Sequence, residues 1–278
     1  MNKIFYAFAL LLLTLSGRAQ TSEGQSTMAN DTSALFRAQL QEDLAAESPR
    51  LTKQDGDSAY IREDYASAVQ IYETLLQEGE AAEIYYNLGN SYFKQDDIAR
   101  AILNYERALM LQPGNADIRA NLEIARAKTV DKVNEIPDVF FVSWAKSLTN
   151  SLSVDTWAKV SIVLFLLFLV GLGLFFVARQ TMLKKIGFTA AVVFFLFTLV
   201  AHFSGGYQKN RLTHRTSAIV LTPSITVRST PSETGTSLFV LHEGRKVSIK
   251  DGSMREWKEI QLEDGQVGWV PAADIEVI

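Results

Sequence analysis

Along the chain, hydrophobic and polar positions fall into three textures: helical periodicity, then two unbroken apolar runs, then short β-rich segments. The apolar runs are residues 158–178 (AKVSIVLFLLFLVGLGLFFVA) and 186–203 (IGFTAAVVFFLFTLVAHF). A helix on the surface of a soluble domain has an apolar stripe and a polar side, whereas these are apolar all round. Roughly 20 apolar residues at about 1.5 Å rise cross a hydrocarbon core about 30 Å thick, so two transmembrane helices are predicted. Seven residues, 179–185 (RQTMLKK), separate the runs. So short a link makes the helices antiparallel neighbours, each satisfying its own backbone hydrogen bonds. Gly205-Gly206-Tyr207 is expected to end the second helix and lead into a basic linker, residues 204–217.

Residues 51–130 carry the 3.6-residue periodicity of packed helices. Within them, residues 82–115 (AEIYYNLGNSYFKQDDIARAILNYERALMLQPGN) form a unit of 34 residues. Leu88-Gly89, Tyr92, Ala101, Tyr105, Ala108 and Pro113 stand where the tetratricopeptide repeat places its signature residues, and the unit resembles that family. Gly89 and Ala101 are small where two helices cross closely. Gln95-Asp96-Asp97 makes the turn between them, and Pro113 stops the second helix. A weaker copy lies upstream: residues 64–69 (DYASAV) match 97–102 (DIARAI), Tyr72 matches Tyr105 and Gly56 matches Gly89. Residues 116–128 copy only the first helix, with Leu122 at the Leu88 position. Two repeats and a closing helix are expected, five helices in all, near the minimum that buries a continuous core.

Such arrays bind through the concave face made by the first helix of each pair. Here that face carries Tyr86, Asn87, Asn90, Lys94 and Asn121, the candidate partner-binding residues. In tetratricopeptide domains that clamp a peptide's C-terminal carboxylate, asparagines occur at the positions of Asn90 and Asn121. The basic residues expected beside them are mostly missing, with Tyr86 where a lysine would stand. Peptide or protein binding is therefore expected of the groove. The blander reading is that Asn87 and Asn90 belong to the repeat consensus and fill it.

Residues 1–19 place Lys3 before an apolar stretch from Ile4 to Leu15, with Gly17 and Ala19 at −3 and −1 before Gln20. That is the layout of a secretory signal peptide. An uncleaved anchor is the rival, and either one exports the chain from Gln20 onward. Residues 20–50 are polar and read as a mobile leader. Residues 131–157 hold Pro137, Phe140, Phe141, Trp144 and Trp157. Val139–Leu148 could form a short amphipathic helix at a lipid surface, with Trp157 at headgroup level, or these aromatics could cover the last repeat helix.

After the linker the texture becomes β-rich. Ala218–Leu221, Ile225–Arg228, Leu238–Leu241, Lys246–Asp251, Trp257–Gln261 and Gln266–Pro271 each read as a strand, separated by Pro, Gly and Asp turns. The succession Val227-Arg228-Ser229, His242-Glu243-Gly244, Trp257, Asp264-Gly265 and Gly268-Trp269-Val270 resembles the bacterial SH3 domain over residues 218–278. That resemblance implies a small SH3-like β-barrel that binds peptides or cell-wall material, or packs on a neighbour. Trp257 and Trp269 are its candidate surface residues, although a small barrel also needs aromatics to fill its core. His242 is assigned to its turn.

Charge sharpens this picture. Residues 20–157 carry 12 Lys and Arg against 22 Asp and Glu, and residues 218–278 carry 6 against 9. Such acidic surfaces repel polyphosphate, so nucleic acid is not an expected partner. The bases of 179–185 place that loop in the cytoplasm by the positive-inside rule. Lys209, Arg211 and Arg215 pull the other way, but the export signal decides for both soluble parts facing the periplasm from the inner membrane. There is no cysteine, hence no disulfide, thiolate metal site or cysteine nucleophile. No nucleophile elbow, phosphate loop or metal-spaced cluster occurs, so no enzyme, metal or cofactor is expected. Carboxylates on the repeats are read as their solvated face.

The fold class expected is therefore multidomain, α and β: an α-helical repeat domain, a transmembrane hairpin and a small barrel. This order of parts resembles the BatE-like family of the bacterial aerotolerance (Bat) operon. The resemblance implies a membrane scaffold whose partners are Bat proteins with von Willebrand A domains and a MoxR-type ATPase, serving stress tolerance. Peptidoglycan, held by the SH3-like part, is the alternative partner.

Overall fold

The computed structural model describes residues 50–131 and 139–278. The expected signal peptide (1–19), nearly all of the leader and residues 132–138 of the connector lie outside the described residues. Five helices come first: α1 (Lys53–Ile61), α2 (Tyr65–Glu78), α3 (Ala82–Lys94), α4 (Ile98–Leu111) and α5 (Ala116–Lys128). Five is the number of helices that the spacing predicts for this stretch.

The repeat is visible in the local chemistry. Asp64 and Asp97 cap α2 and α4, accepting from the backbone N–H of Ser67 and Arg100. This satisfies donors that a helix start leaves open. The residues just before these caps, Glu63 and Asp96, both have φ of 61°, a left-handed turn that reverses the chain inside each repeat. The crossing is the same too. A Cβ on Gly56 would come within 2.5 Å of the Tyr72 ring, and one on Gly89 within 2.7 Å of Tyr105. Each glycine admits a tyrosine of the paired helix, and both rings are buried.

Two further helices are long and apolar enough to cross a membrane, α7 (Val154–Val177) and α8 (Thr181–Thr213). They pack as an antiparallel pair. Backbones meet closely where a Cβ on Gly171 would lie 2.9 Å from Ala191 N, and one on Gly187 would lie 2.8 Å from Phe175 N. Small residues at such a crossing let two helix backbones approach closely and gain dispersion contacts. The link between them is only residues 178–180, shorter than expected. The expected linker is also different: α8 continues through Gly205-Gly206-Tyr207 to Thr213. Helical packing against the preceding turn outweighs the modest propensity of two glycines. Trp157 is 6% exposed and donates its indole N–H to Thr149 O at 2.9 Å. Before α7 lies α6 (Phe140–Thr149).

The C-terminal part is a seven-stranded antiparallel open sheet, in the order β3-β2-β6-β5-β4-β1-β7. Its strands are β1 (Ser217–Val220), β2 (Ser224–Arg228), β3 (Ser237–His242), β4 (Lys246–Asp251), β5 (Trp257–Gln261), β6 (Val267–Pro271) and β7 (Ile275–Val277). Six follow the predicted segments. The three-residue β7 is too short to register as alternation, and forms because β1 offers it a partner. The sheet's core is aliphatic, built on Val220, Val227, Val247, Ile260 and Val270.

The sheet is not a separate bead on a linker. Ile219 and Ile278 share one buried cluster with Ile102, Leu103, Tyr105, Ile118 and Leu122 of the repeats. In the β3–β4 turn, Gly244 has φ of +78°, and a Cβ there would meet Thr129 at 2.6 Å and Ile102 at 2.9 Å. Both its backbone and its closeness to α4 therefore call for glycine.

Candidate partner-binding groove and the closed face behind it

The inner face of the repeats is formed by α1, α3 and α5. One cavity of about 180 Å³ is lined by Tyr60, Asn90, Phe93, Lys94, Tyr105, Asn121 and Ile124. A second, of about 320 Å³, is lined by Lys53, Asp57, Tyr60, Ile61, Tyr72, Glu83, Asn87 and Asn90. Tyr60 and Asn90 line both, so the two cavities adjoin along this face.

The polar side chains of this face are tied to one another across helices. Asn121 donates to Tyr86 Oη at 3.0 Å and to Asn90 Oδ1 at 2.9 Å. Tyr105 donates to the same Asn90 oxygen at 2.8 Å. At the other end, Asn87 and Tyr72 both donate to Asp57 Oδ1, at 2.9 and 2.7 Å. Lys53 bridges Asp57 and Glu83, at 2.8 and 2.9 Å. Partial burial opposes the charge on Asp57, but Lys53, Tyr72 and Asn87 outweigh it and hold the carboxyl below its ordinary range. Burial, then its hydrogen bond to Asp57, raises the Tyr72 hydroxyl, which stays a donor.

The five residues singled out by sequence thus have different stations. Asn90, Lys94 and Asn121 line the first cavity, and Asn87 and Asn90 the second. Tyr86 lines neither, and its ring packs 6.0 Å from Tyr105. Both amide hydrogens of Asn121 are engaged within the wall, so it pins α5 to α3. Lys94 forms no ion pair among the described residues and is the cation left to meet a ligand. Sequence reading expected α1 but named no groove residue on it, although Tyr60 and Phe93 occupy the same position of successive repeats.

The opposite side of the repeats is shut. Glu106 on α4 is only 6% exposed, which corrects the expectation that repeat carboxylates are the solvated face. The β-sheet covers it. Its oxygens accept from Arg126 at 2.5 Å and from Lys246 of β4 at 2.7 Å. Burial would raise its pKa, but the two cations outweigh that and hold it below the ordinary glutamate range. Around it, Arg107 donates to Glu276 at 2.8 Å and to Val277 O at 2.6 Å. Arg215, just after α8, pairs with Glu80. His242 is more than a turn residue: its N–H and Nδ1 both meet the Asp131 carboxylate at 2.8 Å.

On the sheet, Trp257 and Trp269 are half-buried and outside the aliphatic core. Trp269 pairs with Glu259 and Trp257 with Pro271, alternating with core residues Ile260 and Val270. Directly paired residues share a face, so both tryptophans stand on the side away from that core.

The tetratricopeptide repeat family model matches residues 82–115, covering α3, α4 and the turn into α5. No curated protein matches the chain. A repeat of this kind supports a role in protein–protein interaction.

Proposed function

We propose that this protein is a non-enzymatic, membrane-anchored adaptor that holds a segment of a partner protein in the groove of α1, α3 and α5. The observation that carries this reading is the groove itself: two adjoining cavities, walled by pinned asparagines and tyrosines, with Lys94 outside every ion pair among the described residues. α7 and α8 would be the anchor, crossing the inner membrane twice, with repeats and sheet on the periplasmic side. The SH3-like reading of the sheet and the Bat-type setting, with von Willebrand A-domain partners, belong to this proposal as its finer form.

The test is co-purification from detergent-solubilised membranes, comparing the natural chain with a Lys94→Glu, Ile124→Asp variant. These side chains line the cavity without holding the wall, so binding should be lost while folding is kept. Partners retained by the variant would move the binding elsewhere. A second reading is favoured by the half-exposed Trp257 and Trp269: the sheet would hold peptidoglycan or a peptide. Retention of the full chain on cell-wall sacculi, lost in Trp269→Ala, would support it.

A further inference from the structure

We infer that α6 is a third membrane contact, lying in the headgroup region with Phe140, Phe141 and Trp144 in the lipid. The inference rests on the reading of α7 and α8 as a membrane hairpin. In α6, large apolar side chains stand uncovered among the described residues: Phe140 is 73%, Phe141 75% and Trp144 59% exposed. They are also grouped around the axis. At 3.6 residues per turn, Phe140, Phe141, Trp144 and Leu148 fall within about 100° of one another. Ser143, Lys146 and Thr149 take the other side, with Val142, 44% exposed, among them.

The occupant is set by where α6 is held. It ends at Thr149, and four residues later α7 begins. That turn is clamped to the hairpin at the level of Gly205: Trp157 and Gln208 both donate to Thr149 O, and Gln208 also donates to Leu152 O at 2.8 Å. The charge-free part of α7 starts at Val160, three residues or about 4.5 Å along the helix from Trp157, which holds Thr149. The turn therefore sits at about the depth of a headgroup layer, since the polar layers add about 5–8 Å on each side of the hydrocarbon. An amphipathic helix fixed at that depth, with aromatics on one side, meets the acyl–headgroup boundary. Held at two transmembrane helices and one surface helix, the repeat domain would be prevented from swivelling over the bilayer.

The absence of cysteine gives a clean background for a test. Single variants Phe141→Cys, Ser143→Cys and Val170→Cys carry a nitroxide label in the full chain, reconstituted in phosphatidylcholine–phosphatidylglycerol bilayers. Collisional access to oxygen, which concentrates in lipid, is compared with access to a water-soluble nickel chelate. The expected result is high oxygen and low nickel access at 141 and 170, with nickel access restored at 143. A label at 141 open to nickel would overturn the inference while a lipid-shielded 170 kept the hairpin intact. A label at 141 shielded from both reagents would overturn it in favour of a protein partner. If 170 itself is open to nickel, the hairpin reading fails first and the inference with it.

Discussion

The two faces of the repeat domain show what burial does to the same kinds of residue. On the α4 side, a carboxylate and two cations are enclosed between repeats and sheet, and each oxygen of Glu106 has a partner. On the α1–α3–α5 side, asparagines and tyrosines bond each other at the surface of an open groove. The closed face uses charge, and its loss is penalised by low dielectric. The open face joins neutral amides at one end and a solvent-reached Lys53–Asp57–Glu83 group at the other, a network that shapes a wall while leaving Lys94 to a ligand. One face is built for holding the chain together, the other for being occupied.

The sharpest way to break this contrast is Glu106→Ala, which leaves Lys246 and Arg126 without their shared anion. Removing one member of a buried charge group costs about 3–5 kcal/mol. Chemical unfolding in detergent should show that loss; a change below about 1 kcal/mol would mean that water reaches this face. The same group gives a pH dependence. Its folded pKa lies below the ordinary value of 4.5, so its contribution is complete above that value. It is lost as pH falls from about 4.5 through the lowered folded pKa. Unfolding midpoints measured from pH 6 downward should fall more steeply for the natural chain than for Glu106→Gln.

Next in size is Gly89→Val. Its Cβ would sit 2.7 Å from the Tyr105 ring, and overpacking of this kind costs about 1–3 kcal/mol. Because Tyr105 also donates to Asn90, the groove should loosen with the core, visible as faster amide exchange in α3. The smallest stability effect is expected of Lys94→Glu, within about 0.5 kcal/mol as for other exposed substitutions. Its effect should appear in partner binding alone, so a large shift in the unfolding midpoint would show Lys94 to be structural.

Much of the fold was legible because it is local. The 33-residue offsets Gly56–Gly89, Asp64–Asp97 and Tyr72–Tyr105 announce helices, caps and crossings together. Continuous apolar runs announce α7 and α8, and alternation with turns announces six of seven strands. Of the groove, the α3 and α5 residues were legible from repeat register. Tyr60 and Asp57 were missed because the first repeat departs furthest from the pattern. That Trp157 packs inward was not legible, because an aromatic beside an apolar run reads alike whether it faces outward or is buried.

What the sequence determined by itself is the kind of each segment, since propensity, period and capping act over a few residues. What only the tertiary structure decided is who covers whom. Glu106 is an ordinary helix-surface glutamate until β4 brings Lys246 over it from 140 positions away. β7 is three residues of no pattern until β1 lies beside it. Asn121 is a groove donor until Asn90 takes its hydrogen. Burial is a property of pairs of distant segments, and no window of sequence contains both.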